Sequence, residues 1–407
     1  MLLVVEPWSA GGLIVHAARD LGYEVAVVSF DRPGDDRLLD QEVRDDADHV
    51  IVTDTNDLPA TLEAVLRFHQ HTPISGVAPG FEFYVPLAAA ISARLNLPGL
   101  PHACWVRNKL AMLDRVRMAG ERVPRYRSAC SPDGAAAAAA QVGVPCVIKP
   151  VDSAGSIHVR RVESADEARA AFDEFCRDER LDFGKRTSTH VLVTEYLDGP
   201  EYSVEGLVFQ GTITIASVTA KLLGPEPCFV EMGHIVPADI PPATRSRIER
   251  YVRSVIRATE LTVGPFHCEL RVVGGDPVLI EIAARLPGDH IVDLVEYATG
   301  SSLARAAVAA YMGEAPIDGR APARAPYAGI RFFTVSPGTG SYARAMGMTD
   351  ARRHPGVIDV RATIAPGQPI PPPDDSRCRV GHAIFLAGTY QSALDTWSAL
   401  GKLVTFG

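Results

Sequence analysis

The chain has 407 residues, enough for about two or three domains, and an ordinary globular composition with 47% hydrophobic residues. Its formal net charge of −9 argues against a general binder of nucleic acid, because such binding depends on lysine and arginine neutralising phosphates. The 7 cysteines are scattered, odd in number and without a Cys-x-x-Cys pair, so they predict neither a zinc site nor a disulfide framework.

The opening stretch MLLVVEPWSAGG has no basic leader, and its apolar run is too short for a signal peptide. No apolar stretch in the chain approaches the length that spans a membrane. We therefore expect a cytoplasmic protein without a membrane partner.

The first hundred or so residues alternate short apolar runs with amphipathic segments, as in βαβ units. Strands are predicted at LLVVE, EVAVVSF, HVIVTD and ISGVAP, and helices near Gly12–Leu21, Asp57–Gln70 and Glu82–Leu95. This alternation predicts a Rossmann-like parallel sheet with helices on both faces. The turn Ser9–Gly12 is either an anion site at a helix N-terminus or, because GxGxxG is absent, a structural tight turn. Glu82 lies at a strand-to-helix junction, where such sheets place ligands.

The segment PCVIKPVDSAGSIHVRRV predicts two strands around a loop of small residues. Its first strand ends near Lys149, and a lysine on an apolar strand is costly unless an anion meets it. The loop Asp152–Ser156 exposes its backbone as phosphate-wrapping loops do, although a plain hairpin loop explains the composition too.

Three further strands are predicted in HVLVTEYLDGPEYSVEGLVFQGTITIASVTAKLL. The second places Glu201, Ser203 and Glu205 on one face, and Lys221 closes the third. Helices are predicted at Pro132–Val142, Ser164–Arg177, Ala243–Glu260, Asp289–Tyr297 and Ser301–Met312.

The stretch Phe266–Gly288 alternates apolar and polar residues on both sides of Gly-Gly-Asp-Pro, which predicts a β-hairpin. If Val273–Pro277 forms the loop, Glu269 lies opposite Glu281, with Arg285 further along the same face. Like charges opposite each other in a ladder repel. Either water screens both carboxylates on an outer face, or a divalent cation lies between them, since carboxylates and nucleotide phosphates are the ligands Mg²⁺ prefers.

A Pro-, Ala- and Arg-rich connector at Glu314–Pro326 marks a boundary before the last part of the chain. Beyond it, GIRFFTVSPG and CRVGHAIFLAG predict strands, PGQPIPPPDD predicts a surface loop, and Gln391–Leu403 predicts a helix. The tail is therefore expected to be small and β-rich.

Taken in order, these segments resemble the ATP-grasp superfamily of carboxylate–amine ligases. The resemblance covers essentially the whole chain and rests on Lys109, Lys149 with its DSAGS loop, TEYLDGPEYSVEG, Lys221 and ELRV…LIEIAAR. Within the superfamily, FVEMGH at Phe229–His234 and Glu-x-Ala-Ala-Arg at Glu281–Arg285 look most like the L-amino-acid ligases. The resemblance implies an α/β (overall α+β) ATP-grasp fold. Its parts would be a Rossmann-like domain at 1–105, an ATP-grasp domain at 106–315 with lobes at 106–190 and 191–315, and a small C-terminal domain at 316–407.

The resemblance also implies roles for individual residues. The ATP site would comprise Lys109 and Lys149 at the α- and β-phosphates, Ser153, Ala154, Gly155 and Ser156 over the phosphates, Glu195, Tyr196 and Leu197 at adenine, and Glu201 at the ribose. Glu269 and Glu281 would hold Mg²⁺, or Mn²⁺ in its place. The catalytic candidates are Arg285, Lys221 and His234, and the substrate candidates are Glu231, His234, Arg285, Asp289 and Glu82.

Some positions depart from the superfamily pattern. Position 283 is alanine where many ATP-grasp enzymes have an asparagine metal ligand, so one carboxylate pair would hold the metals. The phosphate loop ends in Ile157-His158 where glycine is frequent, which predicts a stiffer loop. Asp289 stands where amino-acid ligases can carry a bulky wall residue, and this smaller acidic side chain predicts a larger or cationic substrate group.

The activity implied is ATP-dependent activation of a carboxylate, an amino acid in the closer branch, as an acyl phosphate that an amine attacks to form an amide or peptide bond. Its partners would be small-molecule carboxylates and amines, and a homodimer is one assembly that the resemblance allows. Two rivals stay open: a ligase acting on bicarbonate, formate or a purine-type precursor, and a nucleotide-binding regulatory protein without turnover.

Overall fold

The structure, a computed structural model, describes residues 1–30, 39–178, 188–316, 321–335, 341–370 and 374–406. Residues 317–320 of the predicted connector, 336–340 beyond the strand in GIRFFTVSPG, and 371–373 of the predicted surface loop lie outside the described residues. Every helix in the described part is too short or too polar to cross a bilayer.

The N-terminal part of the chain forms a four-stranded parallel sheet with helices on both faces. Its elements are β1 (Leu2–Val5), α1 (Gly11–Asp20), β2 (Val25–Ser29), α2 (Gln41–Asp46), β3 (His49–Val52), α3 (Leu58–His71), β4 (Gly76–Pro79) and α4 (Val85–Arg94). The strand order is β3-β2-β1-β4. Leu2 and Val4 pack toward α1, whereas Leu3 and Val5 pack toward α3 and α4, so β1 is buried on both sides. The predicted Rossmann-like sheet is confirmed.

The turn Ser9–Gly12 follows β1 and leads directly into α1. A Cβ on Gly11 would lie 2.1 Å from the backbone oxygen of Gly80, in the loop after β4. Only glycine permits this approach of two backbones. Close packing therefore accounts for the glycine at position 11, which is consistent with a structural tight turn.

The next part of the chain forms a small antiparallel sheet covered by two helices. Its elements are α5 (Cys104–Arg107), α6 (Lys109–Met118), β5 (Tyr126–Ala129), α7 (Pro132–Val142), β6 (Cys146–Pro150), β7 (Arg160–Val162), α8 (Ala165–Arg177) and β8 (Val191–Glu195). The strand order is β5-β8-β6-β7. The alanine-rich α7 packs Ala135 and Ala139 with Phe172 of α8 against Ile148 and Val193. Its small side chains thus let the helix lie close to the sheet.

The rest of the chain is built around an eight-stranded antiparallel sheet. Its elements are β9 (Glu201–Phe209), β10 (Thr212–Leu223), β11 (Glu231–Val236), α9 (Pro242–Ala258), β12 (Gly264–Val273), β13 (Asp276–Ala283), α10 (Ile291–Thr299), α11 (Leu303–Tyr311), β14 (Tyr327–Thr334), β15 (Ala345–Met346), α12 (Met348–Arg353), β16 (Val357–Ala362), β17 (Arg379–Ala387), α13 (Tyr390–Leu403) and β18 (Thr405–Phe406). The strand order is β13-β12-β9-β10-β11-β14-β17-β16, and β15 pairs with β18 apart from it.

Two features of this sheet differ from the sequence-based expectation. The three strands predicted in succession, β8, β9 and β10, belong to two different sheets, because the Asp198-Gly199-Pro200 link passes from the small sheet to the large one and is not a hairpin turn. The tail is β-rich as predicted, but β14, β16 and β17 extend the large sheet through β11. FVEMGH was predicted only as a motif, and its last four residues, from Glu231 to His234, begin β11, the strand that makes this junction.

Candidate active site

A cavity between the small sheet and the large sheet gathers nearly all of the predicted site residues. Those lining it are Lys109, Lys149, Ser153, Ala154, Gly155, Ser156, Glu195, Tyr196, Leu197, Glu201, Lys221, Glu231, His234, Glu269, Glu281, Arg285 and Asp289. Glu82 does not line this cavity and is instead buried behind Arg285. The two sheets therefore bring together residues that are more than a hundred positions apart.

Two buried lysines enter the cavity from the small-sheet side. Lys109 is the first residue of α6, a start fixed by Asn108, whose side chain accepts hydrogen bonds from two backbone N–H groups of that helix. Its Nζ lies 2.6 Å from the backbone oxygen of Ser153. Lys149 projects from β6 and donates to the backbone oxygen of Ile280 at 3.3 Å. Burial, together with the charge of Lys109, lowers the pKa of Lys149 to about 8.

Glu269 and Glu281 lie opposite each other in the β12–β13 ladder, as the sequence predicted. The predicted loop Val273–Pro277 is wrong, because the turn consists of Gly274–Gly275 alone, with φ of 63° and 89°. A two-residue hairpin turn needs such positive φ values, which glycine adopts freely. A β-bulge that leaves Ile280 unpaired then adds one residue to β13 and restores the pairing of the two carboxylates.

Each of these two carboxylates has a lysine partner. Glu281 Oε2 lies 2.9 Å from Lys109 Nζ, and Glu269 Oε1 lies 2.9 Å from Lys221 Nζ. Burial opposes ionisation, but the lysines outweigh it and hold the pKa of both carboxyls below the usual range. Two ionised carboxylates on adjacent strands, facing a cavity that two buried lysines enter, form a donor set that fits Mg²⁺.

Lys221 is the centre of a buried cluster of acids. Its Nζ lies 2.9 Å from Glu201, 2.5 Å from Glu231 and 2.9 Å from Glu269. Burial alone would lower the pKa of Lys221, but the three carboxylates hold it well above its usual value. The carboxylate oxygens come within 4.8 Å of one another, and the ammonium group compensates for their mutual repulsion.

Hydrogen bonds through His267 connect Glu269 with Glu205, a carboxylate buried deeper in the large sheet. His267 Nδ1 lies 3.0 Å from Glu205 Oε1, and His267 Nε2 lies 3.1 Å from Glu269 Oε1. Burial opposes protonation of the imidazole, but the hydrogen bonds to Glu205 and Glu269 outweigh it and raise the pKa of His267 to about 9. Glu205 also accepts from the Thr219 hydroxyl at 2.6 Å.

The aromatic side of the cavity lies where adenine is expected. The rings of Tyr196 and Phe229 are stacked, with their centroids 6.3 Å apart. Arg271 lies over both rings and donates to the backbone oxygen of Leu197 at 2.8 Å and to Glu201 at 2.9 Å. The structure thus gives Leu197 and Glu201 a partner in Arg271 that the sequence analysis did not assign.

The predicted phosphate loop is a series of turns between β6 and β7. Gly155, Ser156 and His158 have φ of 65°, 58° and 56°, in the left-handed region that favours glycine. His158 is held there by Asp178, whose Oδ2 is 2.9 Å from its Nε2. The backbone oxygen of Gly155 accepts from the Ser376 N–H at 3.2 Å, which links the loop to the tail.

The substrate candidates form two groups, and all of them except Glu82 line the cavity. In the first, the Asp289 carboxylate accepts hydrogen bonds from both terminal nitrogens of Arg379, at 2.6 and 2.8 Å. It also lies 3.2 Å from His234 Nε2. Although burial works against ionisation, Arg379 holds the pKa of Asp289 well below its usual range. Glu231 lies 4.0 Å from Arg379, and burial raises the pKa of this carboxyl.

The second group surrounds Arg285. Its Nε donates to Glu82 Oε2 at 2.8 Å, and Arg107 Nε lies 3.9 Å from the other oxygen of Glu82. Arg107 in turn donates to the backbone oxygen of Asp152, at the start of the phosphate loop. Glu82 therefore connects the N-terminal domain with Arg285 and with the loop.

The sequence predicted no site role for four residues that the structure shows in these contacts: Glu205, Arg271, Arg379 and Arg107. Glu205 and Arg271 lie on the polar faces that strand alternation identified, so periodicity was a sufficient indication for them. Arg379 and Arg107 lie in segments without a distinctive motif. Only the tertiary fold brings Arg379 to the cavity and Arg107 to Glu82, which lies outside it.

Three family models match successive parts of the chain. They are the ATP-grasp N-terminal domain at residues 15–99, the ATP-grasp domain at residues 142–293 and the L-amino acid ligase C-terminal domain 2 at residues 331–407. In chain order, these matches fall on the N-terminal parallel sheet, on the small sheet together with part of the large sheet, and on the tail.

Individual proteins are similar over long stretches. The chain is 28% identical over 398 residues to the uncharacterized protein y4rH of Sinorhizobium fredii, covering 97% of this chain and 80% of that protein. It is 29% identical over 227 residues to carnosine synthase 1 of Gallus gallus, covering 54% of this chain but only 24% of that longer protein.

The fold is also that of a solved L-amino acid ligase from Bacillus licheniformis, with a TM-score of 0.82 and 24% identity. The match covers 100% of this chain and 98% of the ligase chain. The chain therefore carries an ATP-grasp N-terminal domain and an ATP-grasp domain, and its tail matches the L-amino acid ligase C-terminal domain 2.

Proposed function

We propose that this protein is an ATP-dependent ligase that activates an amino acid as an acyl phosphate and joins it to an amine, releasing ADP and phosphate. The observation that carries the proposal is the convergence of Lys109, Lys149, Glu269, Glu281 and Arg285 on one cavity. Such a set suits phosphoryl transfer, in which catalysis consists mainly of positioning and of neutralising charge.

The nucleotide would lie between the two sheets. Its adenine would contact the stacked Tyr196 and Phe229, and Glu201 is close enough to that side to accept from ribose hydroxyls. Lys109 and Lys149 would pair with phosphate oxygens. The turns of Gly155 and Ser156 would cover the phosphates and exclude water, which protects the acyl phosphate from hydrolysis.

Glu269 and Glu281 would hold Mg²⁺, with Mn²⁺ as an alternative, and the ion would supply neutralisation of phosphate charge. The substrate carboxylate attacks the γ-phosphorus, and the amine then attacks the resulting acyl phosphate. Arg285 is the candidate for stabilising the oxyanion of that tetrahedral intermediate.

The amino-acid substrate would lie beyond the phosphates, beside the Glu231, His234 and Asp289 group. Glu231 would pair with its ammonium group, because an incoming cation offsets the cost of ionising this buried carboxyl. The L-amino acid ligase domain in the tail supports an amino acid over bicarbonate, formate or a purine-type precursor as the activated acid.

Phosphate release from ATP tests the proposal, with a library of amino acids supplied singly and in pairs. We expect release above background only with suitable amino acids, and mass spectrometry should identify a dipeptide or amide. No stimulation by any acid and amine would contradict ligase activity and favour a nucleotide-binding protein without turnover. A carboxylated or formylated product would favour the rival ligases.

A Glu281→Gln variant tests the metal assignment. Losing one carboxylate charge should reduce phosphate release by roughly a hundredfold, the equivalent of about 3 kcal/mol of charge stabilisation. Glu63→Gln, at an exposed ion pair with Arg67, is the matched control and should keep the parental rate. A near-normal rate for Glu281→Gln would overturn the assignment.

A further inference from the structure

A buried hydrogen-bonded chain connects the interior of the large sheet with the cavity. It runs from the Thr219 hydroxyl to Glu205 at 2.6 Å, from Glu205 to His267 Nδ1 at 3.0 Å, and from His267 Nε2 to Glu269 at 3.1 Å. Three adjacent strands, β10, β9 and β12, supply its members. The relative exposures are 0% for Thr219 and Glu205 and 7% for His267, so water does not compete for these contacts.

Strand register explains why the chain ends at Glu269. His267 is directly opposite Glu205 in the β9–β12 ladder, and Glu269 follows two residues later on the same face of the sheet. An imidazole has one ring nitrogen for each neighbour. The imidazole ring of His267 therefore contacts both carboxylates at once. The fully buried Glu205 fixes the position of the ring.

The contacts to Glu269 are concentrated on one oxygen. His267 Nε2 and Lys221 Nζ both approach Oε1, at 3.1 and 2.9 Å. Two donors on one oxygen fix the carboxylate plane and leave Oε2 as the oxygen for a metal. Such outer contacts orient metal-binding carboxylates in general.

The orientation of the Glu269 carboxylate matters because of the residue that pairs with His267 on β13. That residue is Ala283, which cannot bind a metal and lies two positions after Glu281. The metal would then depend on Glu269 and Glu281 for its carboxylate ligands. Fewer protein ligands leave less tolerance for a misplaced Glu269.

We propose that His267, held by Glu205, is a positioning residue that orients the Glu269 carboxylate for the divalent metal of the ATP complex. This inference rests on the proposed function only in assigning the metal to Glu269 and Glu281. It concerns metal affinity and makes no assumption about which amino acids react.

Two substitutions of His267 separate orientation from general damage. In His267→Gln the amide nitrogen takes roughly the place of Nε2 and keeps the donor to Glu269. In His267→Asn it takes roughly the place of Nδ1 and keeps only the contact to Glu205. Both variants remove the aromatic ring, so loss of packing affects them alike.

Binding of Mn²⁺ to the full-length protein saturated with a non-hydrolysable ATP analogue is the measurement, followed by the electron paramagnetic resonance signal of free Mn²⁺. We expect His267→Asn to weaken Mn²⁺ binding by about tenfold or more and His267→Gln to stay within about threefold of the parent. Analogue binding without metal and the melting temperature report on folding.

Equal Mn²⁺ affinity in His267→Asn and the parent would overturn the proposal, as would equal losses in the two variants or no Mn²⁺ binding by the parent complex. No amino acid is present in this experiment. A failed amino-acid screen would therefore count against ligase activity alone and leave the role of His267 standing.

Discussion

At the scale of single residues, the charge of Lys149 depends on pH close to neutrality, because burial and Lys109 lower its pKa to about 8 from 10.5. Between these values the unfolded chain binds more protons than the folded one, so the contribution of Lys149 to stability rises with pH across this window. Nucleotide binding should change in the opposite direction. A neutral lysine loses its attraction for phosphate, so we expect the Kd for ATP to rise by up to about tenfold per pH unit above about pH 8.

Calorimetric titration of ATP at several pH values measures this dependence. Lys149→Arg is the matched variant, because a guanidinium stays charged throughout the range and should flatten the profile. Profiles of the same slope for the parent and for Lys149→Arg would rule out Lys149 as the titrating group.

Glu82 was predicted as a substrate residue, and the structure places it in contact with Arg285 outside the cavity wall. Glu82→Ala should therefore lower kcat by about tenfold through a misplaced Arg285, with the KM for ATP nearly unchanged. Steady-state phosphate release measures both constants. Glu82→Gln keeps an acceptor of the same shape and should lose less. A rise in the KM for the amino acid with kcat unchanged would instead support the substrate role.

At the scale of elements, the β12–β13 hairpin was predicted correctly in part. Alternation predicted the faces of β12 correctly, because Phe266 and Cys268 are buried in the core while Glu269 and Arg271 face the cavity. The loop length was wrong, yet the carboxylate pairing was right, since the bulge at Ile280 compensates for the shorter turn. A bulge leaves no mark in hydrophobic periodicity and so could not be predicted.

The same hairpin gives a prediction about stability. Gly274 has φ of 63° and open space around its α-carbon, so Gly274→Ala adds backbone strain without a clash. We expect a loss of about 1 kcal/mol in the free energy of unfolding. Urea denaturation measures it, with Gly388→Ala as the control, because Gly388 also has open space but no positive φ. Equal stabilities of the two variants would contradict the assigned turn.

At the scale of the whole molecule, the ion pair between Asp289 and Arg379 joins the tail to the cavity. Arg379→Met leaves a buried carboxylate without its bidentate partner and should cost about 3 kcal/mol of stability. Adding Asp289→Asn should restore most of that loss, since the uncompensated charge is removed. Denaturant midpoints of the two single variants and the double variant measure the coupling. Simple additivity would show that the pair does not join the two parts.

The Rossmann-like sheet, the positions of the two lysines and the pairing of Glu269 with Glu281 were predictable, because each depends on local alternation or on a short ordered motif. The arrangement of side chains around the cavity was less predictable from the sequence. Arg379 reaches Asp289 from 90 residues further along the chain, and Arg107 lies 3.9 Å from Glu82 in a buried contact. Such pairings depend on how sheets and lobes are placed relative to one another, which no single segment encodes.

The pairing of β11 with β14 has a consequence for protein engineering. Val236 pairs with Ala328 and Gly233 with Arg331, so the tail is joined edge to edge with the preceding lobe. A Cβ on Gly233 would lie 2.2 Å from Trp397 Nε1 of α13. Chimeras that exchange tails between relatives must therefore carry matched strands and a matched tryptophan contact across the junction.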